Sequence, residues 1–480
     1  MKILFIAAEA VPFVKTGGLA DVIGSLPGEL RKLGIDARVI IPNYGQIPSV
    51  LRKQMVSLKK VTVNLGWRYQ YCELSKLEHN GVPFYFVGND YYYNRDSLYG
   101  FSDDAERFAF FSRAVLESLP SLDFVPQILH CHDWHTGPVS VYLHAHYGED
   151  SYYQEMLTLF TVHNLFYQGL FPREVLKDIM ELGNAYFSPD KLEFYGKVSY
   201  LKGGLIFSDY ITTVSPTYAL EIQTAYYGEG LEGVLQQRNR QLSGIINGID
   251  CQSFNPATDP HIFVNYRNSL SKKQQNKLQL QEQLGLPRNP DVPLIAFINR
   301  LVEQKGVDLI IHVLEEEMMS LDLQLVFLGT GEQRYESILG EIAARFPQQL
   351  SVNTYFDESL ARRIYAGSDF FLLPALFEPC GIGQLIALRY GTIPVVRKTG
   401  GLKDTVFPYD ETTGEGNGFT FTNYNAHDML FTLKMALDLY ENKKAWGMLV
   451  KNALRENHGW DVPAREYEAL YRRLVNQQGV

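Results

Sequence analysis

The chain has 480 residues, which at about 100–200 residues per domain predicts two to four domains, and its 46% apolar content supplies material for several cores. With 44 basic against 54 acidic residues the net charge is −10, which excludes a broad nucleic-acid surface, and 13% aromatic residues exclude a disordered chain. No apolar run reaches the ~18 residues that cross a bilayer, and Cys72, Cys131, Cys251 and Cys380 form no Cys-x-x-Cys pair, so the expected compartment is a reducing cytoplasm.

The opening Met1-Lys2-Ile3-Leu4-Phe5-Ile6 is cut short by Glu9, with no fitting cleavage site, and reads as a buried strand over residues 2–8 rather than a signal peptide. A Gly-rich turn follows, then a helix over 19–33 ended by Gly34. Strands are predicted at 37–41, 83–87, 127–131, 156–162 and 210–214, with helices at 103–119, 137–146 and 193–207. The second half repeats the rhythm, with strands at 293–298, 324–328, 350–355, 369–373 and 392–396, helices between them, and two or three more helices after residue 426. Such alternation is the pattern of mostly parallel sheets covered by helices, so the expected fold class is α/β with two doubly wound domains. The polar stretch 256–283 places the boundary near residue 247, giving domains of 1–247 and 248–460. The last helix, near 461–475 in the segment 461–480, can pack back on the first domain or on the second. Lys15-Thr16-Gly17-Gly18-Leu19-Ala20-Asp21-Val22 recurs as Lys398-Thr399-Gly400-Gly401-Leu402-Lys403-Asp404-Thr405, an internal echo consistent with two similar halves.

Four clusters could carry chemistry. In the first turn, Gly17 and Gly18 allow close backbone approach, the helix start offers N–H groups and a positive dipole end, and Lys15 adds a full charge. It suits a phosphate, although it lacks the spacing of a P-loop or a dinucleotide fingerprint, and a plain turn with a solvated lysine fits equally. In the second cluster, Arg300 leaves a strand at its carboxyl end and Lys305-Gly306 opens the next helix, an arrangement suited to a diphosphate. The third, Phe377-Glu378-Pro379-Cys380-Gly381, puts a carboxylate where it can accept sugar hydroxyls; no adjacent His supports Cys380 as a nucleophile, so a packed thiol is the expectation. The fourth, His130-Cys131-His132-Asp133-Trp134-His135, is open to a metal reading, a packing reading and a substrate-facing reading. Strand alternation separates Cys131 from the two histidines and favours the last, and Thr161-Val162-His163-Asn164 ends another strand in the same polar way. No Asp-x-Asp pair is present to hold a divalent ion against a diphosphate.

Taken in order, these motifs together with Ile246-Asn-Gly-Ile-Asp250, Asn255-Pro-Ala-Thr-Asp259 and Arg389-Tyr-Gly-Thr392 give the chain a resemblance to bacterial glycogen synthases, closely similar to plant starch synthases, from Met1 to about Trp460. The resemblance implies a GT-B fold, with two Rossmann-like domains and the active site in the cleft between them. It implies retaining transfer of glucose from ADP-glucose to the non-reducing 4-hydroxyl of an α-1,4-glucan, the acceptor being glycogen or a malto-oligosaccharide. No metal or other cofactor, nucleic acid or membrane is implied, and oligomeric state is left open. By the resemblance, Lys15, Arg300 and Lys305 hold the diphosphate and Tyr355 lies near the adenine. Glu378, with the N–H groups of Cys380 and Gly381, contacts the transferred glucose. Asp133 and His163 face the same sugar from the first domain, and Gly17, Gly18, Asp21 and Asn164 complete the ligand shell. Tyr92, Tyr93 and Arg95 fall in a segment that looks like the family's acceptor-side loop, where aromatic faces could stack on glucose or simply pack. Asn299 and Ala375 stand where relatives often carry Ser. A related transferase using UDP-glucose and a small acceptor, a phosphorylase and a non-catalytic glucan-binding protein are the rival readings, and the intact Lys15, Arg300, Lys305 and Glu378 oppose the last.

Overall fold

The computed structural model of the protein describes residues 1–478, in two compact units: Met1–Asn247 with the segment from Trp460 onward, and Gly248–Gly459. Unit one contains β1 (Lys2–Ile6), β2 (Asp36–Pro42), β3 (Val56–Leu65), β4 (Arg68–His79), β5 (Val82–Gly88), β6 (Ile128–His132), β7 (Leu157–Val162), β8 (Leu170–Phe171), β9 (Glu193–Phe194), β10 (Lys197–Ser199), β11 (Tyr210–Thr213) and β12 (Leu242–Gly244). Nine of them form one sheet in the order β12-β11-β7-β6-β1-β2-β5-β4-β3, parallel from β12 to β5 and antiparallel over β4 and β3. Ile3, Leu4, Phe5 and Ile6 are all fully buried, as a strand covered on both faces requires. The helix Gly18–Lys32 follows β1 and stops where Gly34 takes a left-handed conformation, φ 82°. The C-terminal helix Asp461–Gln478 lays Ala464, Tyr467, Leu470, Tyr471 and Leu474 into the core of unit one.

Unit two contains β13 (Leu294–Ile298), β14 (Gln324–Leu328), β15 (Leu350–Asn353), β16 (Phe370–Leu373), β17 (Ile393–Arg397) and β18 (Phe419–Phe421), all parallel, in the order β15-β14-β13-β16-β17-β18. Side chains alternate between its two covered faces. Ile295 and Phe297 join one core cluster while Leu294 and Ala296 join another, and Phe370 and Leu372 part from Phe371 and Leu373 in the same way. Both sheets are therefore Rossmann-like.

One expectation is corrected. Residues 193–207 are not one helix: Tyr195 and Gly196 take positive φ (47° and 81°), turning β9 into β10, and Ser199 caps a shorter helix, Tyr200–Phe207, by accepting from the Lys202 N–H. The hairpin β3–β4 adds two strands to those expected: the first five residues of β3 are exposed throughout, and burial alternates only from Val61 to Leu65.

The sheet orders matter for function. β1 pairs with β2 on one side and β6 on the other, and β13 pairs with β14 and β16. In each unit the chain reverses its direction of travel across the sheet there, which leaves a crevice outside the carboxyl ends of two adjacent strands. The loops after β1 and β6, and those after β13 and β16, border these two crevices.

Candidate functional site

In unit one the loop after β1 carries Glu9, Lys15 and Gly17. Glu9 is buried and accepts from the Thr16 backbone N–H and from Thr16 Oγ1, folding the loop back toward the strand end. Burial pushes the Glu9 carboxyl above its ordinary range, opposed by hydrogen bonds from Thr16, Gly17 and Tyr99. Lys15 Nζ lies 2.7 Å from Asp21 Oδ1, and both side chains reach solvent. Asp21 is thus the partner that holds Lys15. A Cβ placed on Gly17 would meet nothing within 4 Å, so the open side of this turn is not filled by the protein.

At the end of β6, Asp133 stands at φ 58°, a region costly for a non-glycine residue. Its Oδ1 accepts the His163 backbone N–H at 2.7 Å, which joins the ends of β6 and β7. Burial pushes its carboxyl up to about 7, against hydrogen bonds from the His163 and Asn164 backbone. His163 Nε2 lies 2.9 Å from His132 Nδ1, and burial lowers His163 to about 3, so the imidazole is neutral at neutral pH. Asn164 Oδ1 accepts the Phe166 N–H, forming a turn beside them. His130 and His132 share a strand face as alternation requires, with ring centroids 4.1 Å apart, but both are fully buried. His130 bonds Tyr471 and Thr161, so it packs inside the unit rather than facing a ligand, which corrects the substrate-facing reading at that position. Among the described residues no group of three or more His, Cys, Asp or Glu is arranged to hold a metal.

In unit two, Lys305 Nζ lies 2.5 Å from Glu378 Oε2, with side-chain exposures of 10% and 9%. The neighbouring strands β13 and β16 bring these two residues together. Leu376 N–H donates to Gln304 O at 3.0 Å, which zips the two loops. Gly306 takes φ 76°, and a Cβ there would run into Pro374 O, so glycine is required beside Lys305. Arg300 is exposed at the end of β13, next to the Gly329–Gly331 loop, where Leu301 bridges Gly331. Cys380 is a buried thiol outside any disulfide, and Gly381 takes φ 75°. Gln384, fully buried, donates to Cys380 O and Gly381 O and holds this loop from behind. The echo Thr399-Gly400-Gly401 packs here. Gly401 N–H donates to Glu378 O at 3.1 Å, and a Cβ on Gly400 would strike the same oxygen. The repeated turn is therefore open in unit one and clamped onto the Glu378 loop in unit two. Tyr355, 49% exposed, stands just beyond β15 with its hydroxyl donating to Asn353 Oδ1.

The acceptor-side expectation is corrected in part. Tyr92 and Tyr93 are fully buried, their hydroxyls donating to Glu106 Oε1 and Arg107 O, so neither ring face is available to a sugar. Arg95 forks onto both oxygens of Asp103 at 2.6 Å. Two other motifs are scaffolding. Asp259 bonds Tyr390, Arg389 Nε donates to Phe254 O, and Thr392 Oγ1 donates to Ser368 O. Sequence reasoning passed over Glu9 and Gln384 as site residues. An acid at the end of the first buried strand was the available signal for Glu9; nothing local marked Gln384.

Known proteins share this architecture. A family profile described as the starch synthase catalytic domain matches residues 2–237, and one described as glycosyl transferases group 1 matches residues 280–452. A glycogen synthase of Desulforamulus reducens is 54% identical over 476 residues, covering 99% of both chains. One of Geobacillus stearothermophilus is 53% identical over 479 residues, covering 100% of this chain and 99% of its own. Among solved structures, the catalytic domain of Arabidopsis thaliana starch synthase IV, bound to ADP and acarbose, matches at 36% identity with a TM-score of 0.92 over 99% of each chain. The chain therefore belongs to the glycogen and starch synthase family of glycosyltransferases, with the two Rossmann-like units of the GT-B fold.

Proposed function

We propose that the protein transfers glucose from ADP-glucose, with retention, to the non-reducing 4-hydroxyl of an α-1,4-glucan, and so elongates glycogen in the cytoplasm. The observation that carries this reading is the buried Lys305–Glu378 pair at the crevice of unit two, beside exposed Arg300. Breaking a glycosyl–diphosphate bond builds negative charge on the leaving oxygen, and preorganised cations there are often the largest catalytic contribution. Lys305 and Arg300, with Lys15 from unit one, neutralise the diphosphate, so side chains take the part a metal would otherwise play. Glu378 balances Lys305 while the site is empty and takes hydroxyls of the glucose when the donor binds. The backbone N–H groups of Cys380 and Gly381 meet the same sugar, and Tyr355 offers its ring to the adenine. Neutral His163 and Asp133 face the sugar from unit one, with Gly17, Gly18, Asp21 and Asn164 shaping the shell. A glycosidase-like double displacement would need a carboxylate nucleophile about 5–5.5 Å from its acid. A front-face route, in which the leaving phosphate helps to deprotonate the acceptor, asks only for the groups named here.

The test offers glycogen with ADP-glucose or UDP-glucose to the purified protein and follows nucleoside diphosphate release and polymer growth. ADP release matched by glycogen extension is expected. Preference for UDP-glucose, or glucan binding without transfer, would overturn the assignment.

A further inference from the structure

We propose that His132 is a positioning residue for His163: its Nδ1–H donates to His163 Nε2 and so leaves the His163 proton on Nδ1, where the ring can offer it to a hydroxyl of the glucose. The glucose as recipient rests on the function proposed above; the position of the proton rests on unit one alone.

The two rings come from neighbouring strands. His132 is the last residue of β6, where it pairs with Thr161, and His163 directly follows the end of β7. Asp133 locks the two strand ends together: its N–H donates to Thr161 O at 3.0 Å, and its Oδ1 accepts the His163 N–H at 2.7 Å. This sets His132 Nδ1 2.9 Å from His163 Nε2, with the ring centres 5.2 Å apart. The His132 ring is walled in by Phe5, nearly parallel to it at 5.6 Å, and by His130 at 4.1 Å.

Burial decides which ring donates. His132 is fully buried, and its Nε2 has no hydrogen-bond partner. Burial lowers both imidazoles well below their ordinary range, so each is neutral and carries a single N–H. If His163 donated, the His132 proton would sit on Nε2, as a buried N–H with no acceptor. If His132 donates, only a bare lone pair is left at that position. A stranded buried N–H is the rarer defect in folded proteins, because the donor loses its water and gains nothing in return. His132 therefore donates, and the one His163 proton falls on Nδ1, the nitrogen this bond leaves for a ligand. His163, unlike His132, is partly exposed.

The consequence is an uncharged donor of fixed direction. As the glycosyl–diphosphate bond breaks, positive charge grows on the sugar, and an imidazolium beside it would oppose that charge. A ring with the other proton arrangement would offer the sugar only an acceptor. A neutral N–H holds a hydroxyl oxygen without adding charge, and the bond on the opposite nitrogen keeps it in place before the substrate arrives.

The test is NMR of the full chain carrying isotope-labelled histidine, with His163→Gln to assign the His163 signals, beside transfer kinetics for wild type, His132→Phe and His132→Asn. Wild type should show a protonated Nδ1 and a bare Nε2 on His163 at neutral pH. His132→Phe removes the donor, so His163 should lose its single proton arrangement and kcat/KM for ADP-glucose should fall about tenfold, the worth of one buried hydrogen bond. Asparagine carries its amide nitrogen on Cγ, as histidine carries Nδ1, so His132→Asn should restore the proton to His163 Nδ1 and recover most of the rate. A His163 proton on Nε2 in wild type overturns the proposal, and that reading needs no variant to fold. His132→Asn as slow as His132→Phe overturns it too, since His132 would then act through packing alone. An Nδ1 proton on His163 in a protein that transfers no glucose overturns the proposed activity and leaves the His132–His163 bond standing.

Discussion

Lys305 and Glu378 are 73 positions apart, and each was legible alone as a charged residue at a strand end. Their pairing was not, because it depends on β13 and β16 being neighbours, which no local pattern announces. The burial of the pair changes what a substitution measures. Removing one member of a buried ion pair strands the other and costs about 3–5 kcal/mol. Lys305→Ala should therefore lower the thermal midpoint of unit two as well as kcat. Adding Glu378→Gln should restore most of the midpoint while kcat stays low. Calorimetry beside the transfer assay checks this: recovery of kcat in the double variant would show that Lys305 matters only for folding. Tyr92 and Tyr93 teach a similar lesson. An exposed-looking tyrosine run enters a one-turn helix, Asp90–Tyr93, whose core-facing side takes two of the rings, and only Tyr91 stays in solvent.

At the scale of elements, the strands of the parallel sheets, the three-residue edge strands β12 and β18 excepted, were readable because burial on both faces demands continuous apolar runs. The hairpins were not. β9 and β10 are too short to show a period, and β3 shows one only over Val61–Leu65. The C-terminal helix could not be placed from sequence, since its apolar stripe fits any open core. In the structure it closes unit one, and its Tyr471 hydroxyl lies 2.8 Å from His130 Nδ1 in a fully buried setting. The His130 ring packs at a tilt against His132, which in turn touches His163. Tyr471→Phe leaves a buried ring nitrogen without its partner, a loss of about 1–3 kcal/mol. Chemical denaturation should show a lower midpoint for the unit-one transition and no change for unit two. An unchanged unit-one midpoint would mean that the helix contributes through its apolar face alone.

For the whole molecule, two Rossmann-like units were legible from the repeated strand–helix rhythm, and the chemistry from charged and polar residues clustered at strand ends. The sheet orders supply the missing reason, since these clusters sit at the topological switch point of each unit. The central claim is that both units contribute cations to a departing diphosphate. Lys15 is the cleanest probe of it: its ion pair with Asp21 is solvent-exposed and worth about 0–1 kcal/mol, so Lys15→Ala should leave the fold unchanged. The most direct measurement is kcat for ADP-glucose transfer to glycogen by Lys15→Ala at saturating substrates, with the thermal midpoint recorded in parallel. The account predicts a fall of about a hundredfold or more at an unchanged midpoint; a kcat within twofold of wild type would contradict it.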